Sequence, residues 1–109
     1  MTLEVRVLPR ARYQITSIAE WWAQNRSVAQ AQRWLDEVDD RLHELGVIVD
    51  RLPLAEESNE FEFPLKQLTF GIGRRLTHRL LLSIHNNVVY VHSVRHLAQQ
   101  SITPEDIEP

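Results

Sequence analysis

Two runs of strand-forming residues near the end of the chain lie only two residues apart, and this spacing is the tightest constraint on the fold. The runs cover residues 77–85 and 88–96, and the residues between them are Asn86 and Asn87. Asparagine tolerates the left-handed backbone that a two-residue hairpin turn requires. We therefore predict an antiparallel hairpin whose register is fixed by the turn.

Counting back from that turn divides the hairpin into two faces, because successive side chains of a strand point to opposite sides. One face is apolar and is predicted to bury against helices, with Leu80 opposite Ser93 and His78 opposite Arg95. The other face is predicted to be a mixed polar surface, unlike a second core, and it is our candidate functional surface. Its members are Arg79, Leu81, Ser83, His85, Val88, Tyr90, His92, Val94 and His96.

A strand and two helices are predicted before the hairpin. Alternating apolar residues at 3–7 predict a strand that Pro9 ends, and helical spacing predicts a first helix over residues 10–25. Ser27 then fits a helix cap, and a continuous apolar stripe over residues 31–45 predicts a second helix. The short connection makes the two helices antiparallel.

The three tryptophans divide between these stripes and the surface. Trp22 and Trp34 fall on the apolar stripes, so we predict that they pack in the core. Trp21 points off the stripe, which makes it a candidate contact for another protein.

The remaining segments complete an α+β domain. Residues 50–64 contain two prolines and adjacent glutamates and are predicted to be a loop that crosses between layers, before a strand at residues 65–70. The predicted architecture is an N-terminal strand, an antiparallel helix hairpin and a three-stranded antiparallel meander that completes a small twisted sheet. We expect one domain over residues 1–109, with an acidic tail at 101–109.

Charge is concentrated in one part of this chain. Residues 63–104 contain no carboxylate side chain and have a formal net charge of +5, whereas residues 1–62 carry −5 and the tail −3. Four of the five histidines fall in the same basic segment. Such an element favours an anionic partner. Its basic side chains, predicted to hold RNA or phosphate, are Lys66, Arg74, Arg75 and Arg95, together with Arg79.

Several classes of protein are not indicated. The chain has no cysteine and no apolar run long enough to cross a bilayer, and its N-terminus lacks a signal-peptide pattern, so we expect a cytoplasmic protein. His92 and His96 would lie about 13 Å apart along a strand, too far to bind one metal ion directly. No Gly-rich phosphate loop is present, so we expect neither a metal nor a cofactor.

The polar face of the hairpin has residue types that suit cleavage of an RNA phosphodiester. Guanidinium groups can hold the phosphate and stabilise its charge in the transition state, while histidine or tyrosine can move the protons. These residue types also decorate half-exposed sheets that have no chemistry, so the alternative is an ordinary surface. The predicted catalytic residues are Arg79, Tyr90, His92 and His96.

Short segments along the chain follow the pattern of a known family. They are residues 8–11, 15–22, 31–45, 54–57, 66–68, 70–71, 79–82, 91–98 and 103–107. Their order and spacing resemble the RelE/ParE superfamily of toxins from type II toxin–antitoxin modules. The segments after Asn59 look most like the branch described as plasmid-stabilisation toxins, and the likeness spans nearly the whole chain.

The resemblance implies a small α+β toxin that a cognate antitoxin protein keeps inactive by wrapping its helices and sheet. RelE-like members cleave mRNA in the ribosomal A site with basic and aromatic or histidine residues on a concave sheet face, whereas ParE-like members inhibit DNA gyrase. Arg79 matches the basic residue that opens the penultimate strand, and Arg95 with His96 matches the final Arg-His. We expect a growth-inhibiting toxin acting by ribosome-dependent mRNA cleavage as an endoribonuclease, with gyrase inhibition or an inactive antitoxin-binding protein as the alternatives.

Overall fold

Two antiparallel helices pack across one face of a four-stranded sheet in the computed structural model, which describes residues 2–99 and 103–106. We call this side of the sheet the helix face. The described part of the acidic tail includes a short 3-10 turn, Pro104–Asp106, and the rest of the tail lies outside the described residues. The strands and helices are β1 (Glu4–Val7), α1 (Pro9–Asn25), α2 (Val28–Ile48), β2 (Lys66–Phe70), β3 (His78–His85) and β4 (Val88–His96).

Local signals in the sequence place the helix ends. Pro9 occupies the first helical position of α1, where its missing N–H costs nothing and its fixed φ suits the helix. Ser27 caps α2, and its hydroxyl accepts a hydrogen bond from the Gln30 backbone N–H at 3.0 Å. The predicted helices are therefore confirmed. Neither has a stretch of the length and apolarity that a bilayer crossing requires, counted over the described residues.

The sheet has the order β1-β4-β3-β2. Strands β2, β3 and β4 form the predicted antiparallel meander, and β1 joins β4 in parallel with Val5 beside Val89. Asn86 and Asn87 have φ values of 51° and 64°, the left-handed pair that a two-residue hairpin turn uses. The fold class and the hairpin turn predicted from the sequence are confirmed.

One extra residue in β4 changes which side chains share a face. Leu82 pairs with Val91 but Leu81 pairs with Ser93, so His92 forms a β-bulge between them. The predicted pairs on the far side of the bulge are wrong, since His78 lies opposite His96 rather than Arg95. Because side chains alternate, the bulge moves every later residue of β4 to the other face.

The core lies between the helices and the helix face. Trp34 is fully buried at its centre and Trp22 packs at its margin, as predicted, while Trp21 is half exposed. The bulge brings Val94 into this core, although the sequence had placed it on the opposite face. Apolar residues of all four strands contribute, including Val5, Phe70, Leu80, Leu82, Val89 and Val91.

The segment between α2 and β2 covers the other face of the sheet. We call residues 52–65 the strap and the side that they cover the strap face. Its first part runs beside β2, where the Ala55 N–H donates to the Leu65 carbonyl at 2.8 Å and the Gln67 N–H donates to the Pro53 carbonyl at 3.1 Å. A second apolar cluster forms beneath it from Ala55, Leu65, Leu81, Phe61 and Phe63. The prediction of a mixed polar surface without a second core was therefore wrong, because the strap returns over it.

The close approach of α2 to the start of β1 depends on Gly46. The Leu3 N–H donates to the Gly46 carbonyl at 3.0 Å, and a Cβ on Gly46 would lie 2.3 Å from the Leu3 carbonyl oxygen. Alanine normally favours a helix by about 1 kcal/mol over glycine. Here we expect Gly46→Ala to lower the free energy of unfolding by about 1–3 kcal/mol, because backbone must move to admit the methyl group.

Urea denaturation of the two proteins measures this effect. Val47→Ala is the matched control, since the Val47 side chain is exposed in the same helical turn and its truncation should change stability by less than about 0.5 kcal/mol. A Gly46→Ala protein as stable as the wild type would show that β1 does not need this approach.

Candidate functional site

The eight residues predicted as site residues occupy three places in the structure. Four of them, Arg79, Tyr90, His92 and Arg95, belong to the strap face. His96 and Lys66 belong to the helix face, and Arg74 and Arg75 lie exposed in the loop between β2 and β3. The predicted catalytic set is therefore split, because the bulge at His92 turns His96 away from the other three.

Arg79 is held by a buried carboxylate of the strap. Its guanidinium forms a bidentate ion pair with Glu57, with Nη1 2.9 Å from Oε1 and Nη2 on Oε2, and Nη1 also donates to the Gln67 side-chain oxygen at 3.0 Å. The side chains of Arg79 and Glu57 are only 12% and 4% exposed. A buried charge pair needs good geometry and further hydrogen bonds to offset its desolvation, and this one has both.

His92 is enclosed by the same segment. The Phe63 ring stacks on its imidazole with the ring centres 5.5 Å apart, and Nε2 lies 2.7 Å from the Ser83 hydroxyl oxygen. The Ser83 oxygen is also 2.9 Å from Nε2 of His85, so one hydroxyl bridges two imidazoles. Burial, and then the nearby His85, lower the pKa of His92 to about 4. His92 is therefore neutral at physiological pH.

Tyr90 is partly exposed on the strap face. Its ring is 5.7 Å from that of His85, which is exposed, and it stands opposite Ser83 in β3 and Arg6 in β1. The Phe63 ring also contacts His85 at 5.2 Å. Of the polar residues on this face, Tyr90 and His85 are thus better placed than His92 to meet a ligand.

The predicted phosphate-binding residues do not form one patch. The Lys66 ammonium donates to the Val49 carbonyl at 2.9 Å at the end of α2. Arg95 lies near Asp106, whose carboxylate accepts hydrogen bonds from the Thr103 N–H and hydroxyl. The pKa of Asp106 is below its ordinary value, chiefly because of the Thr103 N–H and in part because of the charge on Arg95.

Sequence reasoning missed a cleft at the opposite side of the sheet. His96 and Arg75 meet helix residues there, among them Trp21, Trp22 and Arg26, around a space of about 630 Å³. His78 closes its base, where Nδ1 accepts from the Trp34 indole N–H at 3.4 Å and from the Thr77 hydroxyl at 2.7 Å. The position of Trp21 off the apolar stripe was the available signal in the sequence, and in the structure this side chain is half exposed and lines the cleft.

The chemistry open to these groups follows from their surroundings. Arg79 has a carboxylate where a phosphate would need to bind, and Nε2 of His92 is hydrogen-bonded to Ser83 beneath Phe63, while its Nδ1 is buried without a partner among the described residues. Within the described residues, no three histidine or carboxylate side chains converge as a metal site. On the strap face, Arg79 and His92 are therefore held by side chains of the protein itself. In the cleft, the polar side chains of Arg26, Arg75 and His96 are exposed to solvent.

The ion pair between Glu57 and Arg79 generates a stability prediction. Removing one partner leaves a buried charge without compensation, so Glu57→Leu alone or Arg79→Met alone should lower the free energy of unfolding by about 3–5 kcal/mol. The double variant should recover most of that loss, because two apolar side chains can fill the same space. Urea denaturation measures all three. Additive losses in the double variant would contradict the coupling.

Two buried histidines generate a pH prediction. Burial lowers the pKa of both His78 and His92 to about 4, against about 6.5 in an unfolded chain. The unfolded state then binds more protons than the folded state below pH 6.5, so stability is full above that pH and is lost as pH falls towards 4. We expect a loss of about 1–2 kcal/mol per histidine between pH 7 and pH 5.

Urea denaturation at several pH values measures this loss. His78→Gln and His92→Gln should each remove part of the pH dependence, whereas His43→Gln should leave it in place because His43 is exposed on α2. Equal stability of the wild type at pH 7 and pH 5 would contradict the prediction.

Among the comparisons with known proteins, the match is one of three-dimensional structure. No family model matches the chain, and the search of curated proteins gives no match. A chain of the solved structure described as "Chromosomal ParDE TA system from P. aeruginosa" superposes with a TM-score of 0.70 over 87% of this chain and 96% of that chain, at 9% sequence identity. At that identity the match concerns the fold, and it confirms the RelE/ParE-like architecture that the sequence motifs implied.

Proposed function

We propose that this protein is the toxin of a toxin–antitoxin module and that it inhibits growth by binding its target rather than by hydrolysis. The observation that carries the proposal is its likeness of fold, over 87% of the chain, to a chain of a ParDE toxin–antitoxin system. The motifs that resemble the RelE/ParE superfamily point the same way. A cognate antitoxin protein is then its expected partner.

The enclosure of Arg79 and His92 supports the mechanism by binding. A nuclease needs a guanidinium that can reach phosphate and an acid or base that can reach the reacting oxygens. Here Glu57 takes both terminal nitrogens of Arg79, and His92 is 8% exposed beneath Phe63. Of the two remaining candidates, His96 lies on the other side of the sheet and Tyr90 lies on the strap face beside His85. DNA gyrase is the target that the ParE-like part of the superfamily suggests.

Ribosome-dependent mRNA cleavage is the second candidate. Tyr90 and His85 favour it, because their rings lie 5.7 Å apart and His85 is exposed to solvent. Arg74 and Arg75, exposed in the loop before β3, would supply charge for RNA. In this case the tyrosine and histidine would move protons, and removal of both functional groups would stop cleavage.

Regulated expression in a bacterial host that lacks the antitoxin tests the two mechanisms together. Transcript 5′ ends and plasmid supercoiling are measured from one culture. We expect growth arrest, altered supercoiling and intact transcripts, in the wild type and equally in Tyr90→Phe/His85→Gln. Arg33→Gln, a change of an exposed residue on α2, is the control for expression and folding.

Each other outcome overturns a defined part of the proposal. New 5′ ends inside translated codons that vanish in Tyr90→Phe/His85→Gln would replace binding by mRNA cleavage. Expression of soluble, folded protein without any effect on growth would overturn the assignment as a toxin.

A further inference from the structure

The cleft between the end of α1 and the end of β4 contains hydrogen-bond donors that the proposed function leaves unused. It encloses about 630 Å³, which is in the range of about 300–1,000 Å³ that small-molecule sites occupy. Two histidines that pair across the sheet, His78 of β3 and His96 of β4, belong to its lining. Their ring centres are 5.1 Å apart, with one ring edge-on to the other. The protonation of these two rings decides what the cleft can bind.

The neutral His78 ring must carry its proton on Nε2. Its Nδ1 lies 3.4 Å from the Trp34 indole nitrogen, whose N–H can only donate, so Nδ1 is an acceptor. Burial lowers the pKa of His78 to about 4, and the ring is therefore neutral at physiological pH. His78 is only 4% exposed, and its Nε2–H has no hydrogen-bond partner among the described residues. A buried donor without a partner is costly, and this one belongs to the wall of a cleft.

The neutral His96 ring carries its proton on the same nitrogen. Its Nδ1 accepts from the Ala98 backbone N–H at 3.0 Å, which leaves Nε2 as the protonated position. The His96 backbone N–H donates to the Gln99 side-chain oxygen at 2.7 Å, so the end of β4 is held in place. Both rings therefore present N–H donors. A metal ligand needs a free lone pair, so in these tautomers the two Nε2 atoms suit an anion and not a metal cation.

An arginine on the adjacent loop adds positive charge. Arg75 lines the cleft and is exposed, and no described carboxylate forms an ion pair with it. The loop holds its backbone closely, because a Cβ on Gly71 would lie 2.0 Å from the Arg75 carbonyl oxygen. The Thr77 N–H closes the same loop by donating to the Phe70 carbonyl at 3.0 Å. Two N–H groups and one guanidinium are donors of the kind that bind carboxylates and phosphates.

Much of the remaining lining is aromatic or aliphatic. Trp22 and Ile72 pack against the core, and Trp21 packs edge to face on Trp22 with the ring centres 5.7 Å apart. Trp21 remains half exposed, and the Arg26 guanidinium carbon lies 6.0 Å from its ring centre. Aromatic rings pack against one another by offset stacking or edge contact. The cleft therefore combines a surface for a planar ring with donors for an anion.

We infer that the cleft binds a small molecule in which a carboxylate or a phosphate monoester is attached to an aromatic ring. The anion binds the Nε2–H groups of His78 and His96 together with Arg75, and the ring packs against Trp21 and Trp22. Because His78 is buried, only a terminal group of a ligand can reach it, which favours a small molecule over the internal phosphodiesters of a nucleic acid. The anion then supplies the acceptor that His78 lacks among the described residues.

Calorimetric titration of four probes into the purified protein tests this inference. The probes are 2-naphthoate, 2-naphthyl phosphate, the neutral 2-naphthamide and inorganic phosphate. We expect at least one of the aromatic anions to bind about tenfold or more tightly than the amide, which lacks the charge, and than inorganic phosphate, which lacks the ring. The tighter of the two aromatic anions identifies the ligand as a carboxylate or as a phosphate monoester.

Residues of the same type outside the cleft supply matched controls. Arg75→Gln should raise the dissociation constant of the tighter anion about tenfold, because it removes a charge at the site. Arg74→Gln removes the same charge from an exposed neighbour that does not line the cleft, and solvent screening should limit its effect to less than about twofold. His96→Phe keeps a ring and removes the donor, so it should weaken binding as Arg75→Gln does. His43→Phe, at an exposed position of α2, is its control.

Nitrogen-15 NMR of the imidazole rings tests His78 without a substitution in the core. Long-range proton–nitrogen spectra distinguish a protonated ring nitrogen from an unprotonated one. We expect Nε2 to carry the proton in both His78 and His96 of the free protein. Both Nε2 signals should then shift when the tighter anion is added, because that anion accepts from them.

Other results overturn the inference. Equal binding of 2-naphthamide and the aromatic anions, unchanged affinity in Arg75→Gln and His96→Phe, or an Nδ1–H tautomer at His78 would each do so. Failure of both aromatic anions to bind at millimolar concentration would do so as well. Tighter binding of a labelled oligouridylate that the same two variants abolish would assign the cleft to nucleic acid instead.

This inference goes beyond the proposed function and is tested separately from it. Binding of an aromatic anion by a protein whose expression is harmless would uphold the cleft site and overturn the toxin. Growth arrest by a protein that binds neither anion would do the reverse.

Discussion

Side chains of a strand alternate between two faces, and the bulge at His92 interrupts that alternation at the centre of the sheet. Before the bulge, β4 sends Val89 and Val91 to the helices, and after it Val94 takes the same direction. Without the extra residue, Ser93 would enter the core and Val94 would leave it. The same step places His96 on the helix face and Arg95 on the strap face. One inserted residue therefore keeps the core continuous and also separates the predicted site residues of β4 between the two faces of the sheet.

The two surfaces differ in how their polar groups are satisfied. On the strap face, Glu57, Gln67 and Ser83 provide internal partners for Arg79, His85 and His92, and the Phe63 ring stacks on that of His92. Arg79 and His92 are largely buried in this network, which contributes to the specificity of the fold, whereas His85 is exposed and Nδ1 of His92 has no hydrogen-bond partner among the described residues. In the cleft, Arg26, Arg75 and His96 are exposed and line the same hollow as the rings of Trp21 and Trp22. The strap face thus has internal partners for most of its polar groups, whereas those of the cleft are open to solvent.

Most elements of this fold could be predicted from the sequence because their signals are local. Pro9, Ser27 and the Asn86-Asn87 pair mark a helix start, a helix cap and a turn within a few residues of each event. The bulge leaves a weaker signal, since no glycine marks it and only the adjacent polar residues His92 and Ser93 break the apolar alternation between Val91 and Val94. The partner of Arg79 lies 22 residues away in a strap whose return over the sheet depends on tertiary packing. The cleft likewise combines residues from both ends of the chain, so alternation and charge could not assemble it.

The backbone pairing between the strap and β2 has a consequence for solubility. β2 is an outer strand of the sheet, and a bare outer strand is a template for pairing with a second chain. Leu54 forms a bridge with Lys66, and the neighbouring hydrogen bonds of Pro53 and Ala55 occupy the start of that edge. Proline has no N–H to extend the ladder outward, so Pro53 leaves the added segment a poor template. The strap thus closes a strand edge while it covers a face, and its detachment would expose sites for intermolecular β-sheet growth.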